Sequence, residues 1–156
     1  MKPLNEQEIL HLAASYCSLT ERCIYDVCKK ITSAGASPET TERIIAHLLK
    51  ERFIDEARYS RSFVRDKFRF NHWGRIKIGY ELRSKNISNL LINEALTQID
   101  EDEYESVLFA LLKEKKRTSK GRTQQDVFSK LYRFAVSKGF ESDLTLRQLK
   151  KMIKTG

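Results

Sequence analysis

Three short stretches, ITSAGAS at residues 31–37, LRSKNIS at 82–88 and AVSKGFE at 135–141, constrain this chain more than any other feature. Each opens on an aliphatic or small residue (Ile31, Leu82, Ala135) and carries a serine two places on. Two further on stands Gly35, Asn86 or Gly139, the residue types that tolerate left-handed backbone after a helix. Each closes on Ser37, Ser88 or Glu141, placed to open the next helix. Val27, Ile78 and Leu131 fall at one equivalent apolar position in the preceding helix, and the register moves by 51 and then 53 residues. This spacing predicts three divergent copies of one helix trio.

The rest of the pattern is helical. Ile9, Leu12, Ala13 and Tyr16 share one face, as do Ile24, Val27, Cys28 and Ile31. Ser37-Pro38 reads as an N-cap followed by proline at the first helical position, opening a helix through Ile44, Ile45, Leu48 and Leu49. Proline occurs only at Pro3 and Pro38, glycine is sparse and alternating β-branched runs are absent, so strands have little support. The expected organisation is all-α, with trios over 1–52, 53–99 and 100–156.

Charge separates these thirds. The chain carries a net charge of +8, but residues 1–52 balance seven basic against seven acidic groups. Residues 53–87 hold nine basic against four acidic, 88–103 hold five acidic and no basic, and 104–156 hold thirteen basic against five acidic. Two basic blocks separated by an acidic one suit a polyanionic partner. With 40% hydrophobic and 32% charged residues the composition is that of a soluble globular protein. No apolar run approaches the roughly 18 residues of a membrane span, and MKPLNEQEIL lacks a signal-peptide core, so a cytoplasmic protein with no membrane contact is expected.

The chemistry-bearing residues are few. Cys17, Cys23 and Cys28 are odd in number and fit no zinc spacing, while His11, His47 and His72 are scattered. No phosphate-binding glycine loop, nucleophile elbow or His-nucleophile pair is present. Asp100, Asp102 and Glu103 read as a polar helix start rather than a metal site. No enzyme activity, cofactor or metal is expected.

The stretch RYSRSFVRDKFRFNHWGR, residues 58–75, is the densest feature. Asp55 is placed to cap a helix that runs to about Phe70. At about 100° per residue, Arg58, Arg61, Arg65 and Arg69 fall on one narrow face. Tyr59, Phe63 and Phe70 lie to one side and Ala57, Val64 and Phe68 to the other, as an apolar arc facing the core. Four like charges at these spacings repel, so either internal acids, such as those at 100–103, or an external anion must offset them. Beyond Gly74, the pattern places Ile76, Tyr80 and Leu82 inward and Arg75, Lys77, Arg83 and Lys85 outward. The second block, KEKKRTSKGR at 113–122, contributes Lys115, Lys116, Arg117, Lys120 and Arg122 from a helix end and a loop. No helix gathers Asn, Gln and Arg as a base-reading face, so any DNA contact is expected to be sequence-nonspecific.

The run Phe53-Ile-Asp55-Glu-Ala-Arg58-Tyr59-Ser-Arg61-Ser-Phe63-Val64-Arg65, then Gly74-Arg75-Ile76 and Glu81-Leu82-Arg-Ser-Lys85-Asn86-Ile87, resembles the signature of the bacterial RecX regulatory proteins. It departs from that signature at Glu56, at Arg75 directly after Gly74, and at Asn86, where the family has glycine. The resemblance implies three tandem three-helix repeats in a curved, elongated, monomeric molecule. It also implies a regulator that lodges in the groove of the RecA filament on DNA and mostly inhibits it. On that likeness Arg58, Arg61, Arg65, Arg69, Arg75 and Lys77 belong to the binding surface, and Phe53, Tyr59, Phe63, Val64 and Leu82 to packing. Two other readings stay open: a sequence-nonspecific DNA-binding protein acting without RecA, and a helical hub for another acidic protein.

Overall fold

The computed structural model describes residues 3–121 and 123–155, and among them all regular structure is helical. The helices are α1 Glu6–Leu19, α2 Ile24–Ser33, α3 Pro38–Lys50, α4 Glu56–Arg69, α5 Arg75–Ser84, α6 Asn89–Leu96, α7 Glu101–Thr118, α8 Gln124–Ser137 and α9 Ser142–Thr155. The all-α expectation holds, with three helices in each third of the chain.

The three signature stretches end the second helix of each trio in the same way. Gly35, Asn86 and Gly139 have φ of 99°, 61° and 97°. The amides of Ala36, Ile87 and Phe140 donate to the carbonyls of Ile31, Leu82 and Ala135, and those of Gly35, Asn86 and Gly139 to Thr32, Arg83 and Val136, all within 2.9–3.2 Å. These paired bonds satisfy carbonyls that a helix end leaves without partners. Val27, Ile78 and Leu131, equivalent by sequence, are each fully buried. The third helices then start as the sequence implies in two cases, with Ser37 accepting from the Thr40 amide and Ser88 from the Leu91 amide. In the third trio the Glu141 carbonyl accepts from the Thr145 amide, and its carboxylate turns elsewhere.

By packing, the described chain forms two compact units. One runs up to Ser62 and includes Leu82–Ala95; the other comprises Phe63–Glu81 and the chain from Leu96. The first is built on Ile9, Ala13, Cys17, Val27, Ile31, Ile44, Leu48 and Ile54. The second centres on Tyr104, whose ring lies 5.8 Å from that of Phe68 and 5.1 Å from that of Phe140. Leu108, Leu112, Leu131 and Leu149 of the same unit are fully buried as well.

Two helix starts are satisfied by tertiary rather than local partners. Cys23 offers α2 no side-chain cap, and the Ile24 amide donates to Glu56 Oε2 at 3.0 Å instead. At the start of α5 the Gly74 and Ile76 amides donate to the carbonyls of Lys138 and Gly139, at 2.7 and 3.0 Å, and the Arg75 amide donates to the Tyr104 hydroxyl at 3.0 Å. Gly74 sits so close to the Gly139 backbone that a Cβ would lie 2.3 Å from its carbonyl carbon.

Three inward assignments are corrected. Phe70 is 78% exposed: its amide still closes a helical bond to the Asp66 carbonyl, but its ring stands at the end of α4, beyond the packed part of that face. Ile76 and Tyr80 are 54% and 66% exposed, while Ile78 and Leu82 are fully buried. The anchored start at Gly74 sets the rotation of α5 and turns that 78/82 pair to the core. Of the residues assigned to packing, Tyr59, Val64 and Leu82 are buried, whereas Phe53 stays partly exposed.

Candidate nucleic-acid interface

The basic residues singled out by sequence divide into those held by the protein's own carboxylates and those left to solvent. In the first unit, Arg58 Nε donates to Glu21 at 2.7 Å and its Nη2 reaches the Arg52 carbonyl at 3.0 Å. The Glu21 partnership holds the guanidinium above its ordinary pKa. Asp55 caps α4 as expected, accepting from the Arg58 amide at 3.0 Å, and that bond keeps its carboxyl below the usual range. Lys85 Nζ pairs with Asp26 at 2.5 Å; burial opposes its charge, but the Asp26 hydrogen bond together with the negative charge of Asp26 and neighbouring groups leaves its pKa raised.

In the second unit, Arg75 is a clamp. Its guanidinium donates to Glu141 Oε2 at 2.7 Å and to Glu101 Oε2 at 2.8 Å, and lies 3.9 Å from the Tyr104 ring centroid. The Tyr104 hydroxyl in turn donates to the second oxygen of Glu141. Arg117 pairs with Glu114 one turn back on α7. Arg58, Arg75, Lys85 and Arg117 are thus the candidates that the protein's own carboxylates engage. Arg75 meets the acidic block that the sequence offered as an internal partner, because Asp100 caps α7 and so fixes Glu101 in its first turn.

Arg61 and Arg65 are exposed on α4, with Arg65 Nε 3.6 Å from Asp66. Arg69 and Arg83 are exposed, and no ion pair engages them among the described residues. Lys77 is half-buried, its Nζ 4.6 Å from the Trp73 ring centroid. Of the second block, Lys115 lies 5.1 Å from the Phe134 ring, Lys116 is half-buried and Lys120 is exposed; Arg122 falls outside the described residues.

The structure adds cations that sequence reasoning did not select. Lys67 and Lys138 join Lys77 around the 71–74 turn, and Lys130 and Arg133 join Lys115 and Lys120 along an open groove of about 740 Å³. Lys130 and Arg133, three apart on α8, were legible as a helical pair. Lys138 had no local signal, since the Gly74–Gly139 approach delivers it. The first third, neutral overall, places Arg22 3.7 Å and Lys30 5.2 Å from the Tyr16 ring centroid. None of the described helices is long and apolar enough to cross a membrane.

Comparison with known proteins places this arrangement in a family. The model for the second three-helix domain of RecX matches residues 55–96. A regulatory protein RecX of Clostridium tetani is 36% identical over 78% of this chain, and one of Clostridium botulinum 35% identical over 86%. The chain spans only 55% and 62% of those two relatives. A regulatory protein RecX of Prosthecochloris aestuarii is 30% identical over 95% of each chain. A crystal structure of a regulatory protein RecX superposes with a TM-score of 0.81 at 25% identity, covering 97% of this chain and 74% of that one. RecX from Lactobacillus salivarius shares the fold, with a TM-score of 0.83 at 19% identity over 94% of this chain and 95% of that one. With a relative matched over nearly its whole length and the helical trios in place, this chain belongs to the RecX family of regulatory proteins.

Proposed function

We propose that this protein binds the RecA recombinase filament on DNA and restrains its strand exchange and ATP turnover. The reading rests on family membership, on the RecX signature at 53–87, and above all on one observation: cations that no internal carboxylate engages remain on the surface. Arg69, Lys77, Arg83 and Lys120 are such groups among the described residues. A nucleoprotein filament presents phosphates and acidic protein surface together, and would supply their counter-charge. Arg61, Arg65, Lys115 and Lys116 are proposed as further contacts, each within its own unit, whereas Arg58, Arg75, Lys85 and Arg117 are held by internal carboxylates.

The test is ATP hydrolysis by preformed RecA filaments on single-stranded DNA. Stoichiometric addition of the wild-type protein is expected to slow hydrolysis, and Arg69→Ala with Arg83→Ala to weaken that effect while the helical circular dichroism is unchanged. Unaltered hydrolysis together with salt-sensitive binding to bare DNA would instead favour a DNA-binding protein that acts without RecA.

A further inference from the structure

The first unit holds a cavity of about 580 Å³, lined by α2, the start of α4 and the turn after α5. Tyr25, Cys28 and Lys29 line it from α2, Glu56 from α4, and Lys85 and Asn86 from the turn. A second hollow of about 350 Å³ shares Tyr25, Lys29 and Lys85 with it and adds Tyr16 and Lys30. Both volumes lie in the range of small-molecule sites, about 300–1,000 Å³. The first third of the chain is neutral overall, so net charge gave no sign of this place.

The charged groups that line it do not satisfy one another. Glu56 is half-buried; its Oε2 accepts from the Ile24 amide at 3.0 Å, and its Oε1 takes no hydrogen bond among the described residues. No ion pair engages that carboxylate among the described residues. Burial therefore raises its pKa, with no cation to oppose the shift. Lys85 is committed to Asp26 at 2.5 Å. Lys29 and Lys30 are exposed, and no ion pair engages either among the described residues. Tyr25, 41% exposed, adds a ring face to the same lining.

A ligand that fits must donate N–H groups to Glu56, lay a flat face on Tyr25 and bring clustered negative charge to the lysines. Guanine carries two adjacent donors, N1–H and the N2 amino group, with the O6 acceptor beside them. A carboxylate accepts from the first two, and the Asn86 amide can donate to the third. Adenine would instead turn the N1 lone pair toward the carboxylate, a repulsive contact. Two neighbouring ammoniums suit a pyrophosphate better than the single phosphate that each nucleotide of a strand supplies. Asn86 also stands where the RecX signature has glycine, so this chain brings a side chain to the cavity that glycine lacks. We propose that the cavity between α2 and α4 binds a free guanine nucleotide, with the base edge on Glu56 and Asn86, the ring on Tyr25 and the phosphates on Lys29 and Lys30. This site goes beyond the filament reading, because neither RecA nor DNA is needed to fill it.

Isothermal titration of the full chain with guanosine diphosphate (GDP), adenosine diphosphate (ADP) and guanosine tests it. One GDP is expected to bind per chain, at least about tenfold more tightly than ADP. Because Cys28 lines the cavity, saturating GDP should slow its labelling by a disulfide-exchange reagent. Tyr25→Ala is expected to weaken GDP binding by about 5- to 150-fold. Lys29→Ala should weaken GDP about tenfold and leave guanosine unchanged. Glu56→Gln keeps an oxygen for the Ile24 amide but turns an N–H toward the base, and should bring GDP and ADP within about twofold of each other. Asn86→Gly relieves left-handed backbone, so it should fold at least as stably while binding GDP about 2- to 12-fold more weakly. Guanine within a strand presents the same base edge, and a single-stranded oligo(dTG) is expected to leave Cys28 labelling unchanged. No GDP binding, ADP binding as tightly as GDP, unprotected Cys28 at saturating GDP, or equal protection by oligo(dTG) would each overturn the proposal.

Discussion

At the scale of single residues, equivalent turn positions carry different burdens. Gly35 is left-handed with no atom within 4 Å of a would-be Cβ. Gly35→Ala should therefore cost only the conformational strain, about 1–2 kcal/mol in urea unfolding. Gly74 is not left-handed, yet its Cβ would lie 2.4 Å from the Gly139 carbonyl oxygen and from the Phe140 amide nitrogen. Backbone cannot step aside as a side chain can, so Gly74→Ala should cost about 3 kcal/mol or more. The thiols obey burial in the same way. Burial pushes Cys23 up to about 11 and raises Cys17 and Cys28 as well. At neutral pH a disulfide-exchange reagent should label half-buried Cys28 first and reach buried Cys17 and Cys23 only as the protein unfolds.

At the scale of elements, helix ends account for much of what the charged residues do. Asp55 and Glu101 both have carboxyls held below the ordinary values of 3.8 and 4.5, by the Arg58 amide and the Arg75 side chain respectively. Groups with depressed folded pKa values stabilise the protein above their unfolded values, and that contribution is lost as pH falls through the folded ones. Stability should thus decline on acidification below pH 4.5. Asp55→Asn keeps a capping oxygen but cannot titrate, and should flatten part of that decline. Arg75 joins the start of α5, the first turn of α7 and the approach to α9. Arg75→Ala should cost about 2–3 kcal/mol in urea unfolding by leaving the Glu141 carboxylate without its guanidinium and the Tyr104 ring without its cation. Arg75→Lys should recover only part of this, because an ammonium cannot span both carboxylates in the guanidinium's fork. Such losses would appear in stability before they appeared in any binding assay.

At the scale of the whole molecule, net charge and helical content were legible in the amino-acid order, and the identity of the interacting groups was not. The trio repeat, the three left-handed turns, the Ser37-Pro38 start and the Asp55 and Asp100 caps depend on neighbours within a few residues, and local spacing reveals such features. The α4 arginines likewise share a face by helical period alone. Which basic side chains are neutralised depends on carboxylates far away in sequence: Glu21 for Arg58, Glu101 and Glu141 for Arg75, Asp26 for Lys85. The rotation of α5, which exposes Ile76 and Tyr80 and buries Ile78, follows from backbone hydrogen bonds to the turn at Lys138 and Gly139. The gathering of Lys67, Lys77 and Lys138 at Trp73 has the same origin. Periodicity records only what a helix imposes on its own residues, so the sequence by itself determined helices, turns and charge blocks. Tertiary packing decided which charges are neutralised and which rings meet water, because ion pairs and burial form between segments that local spacing cannot align.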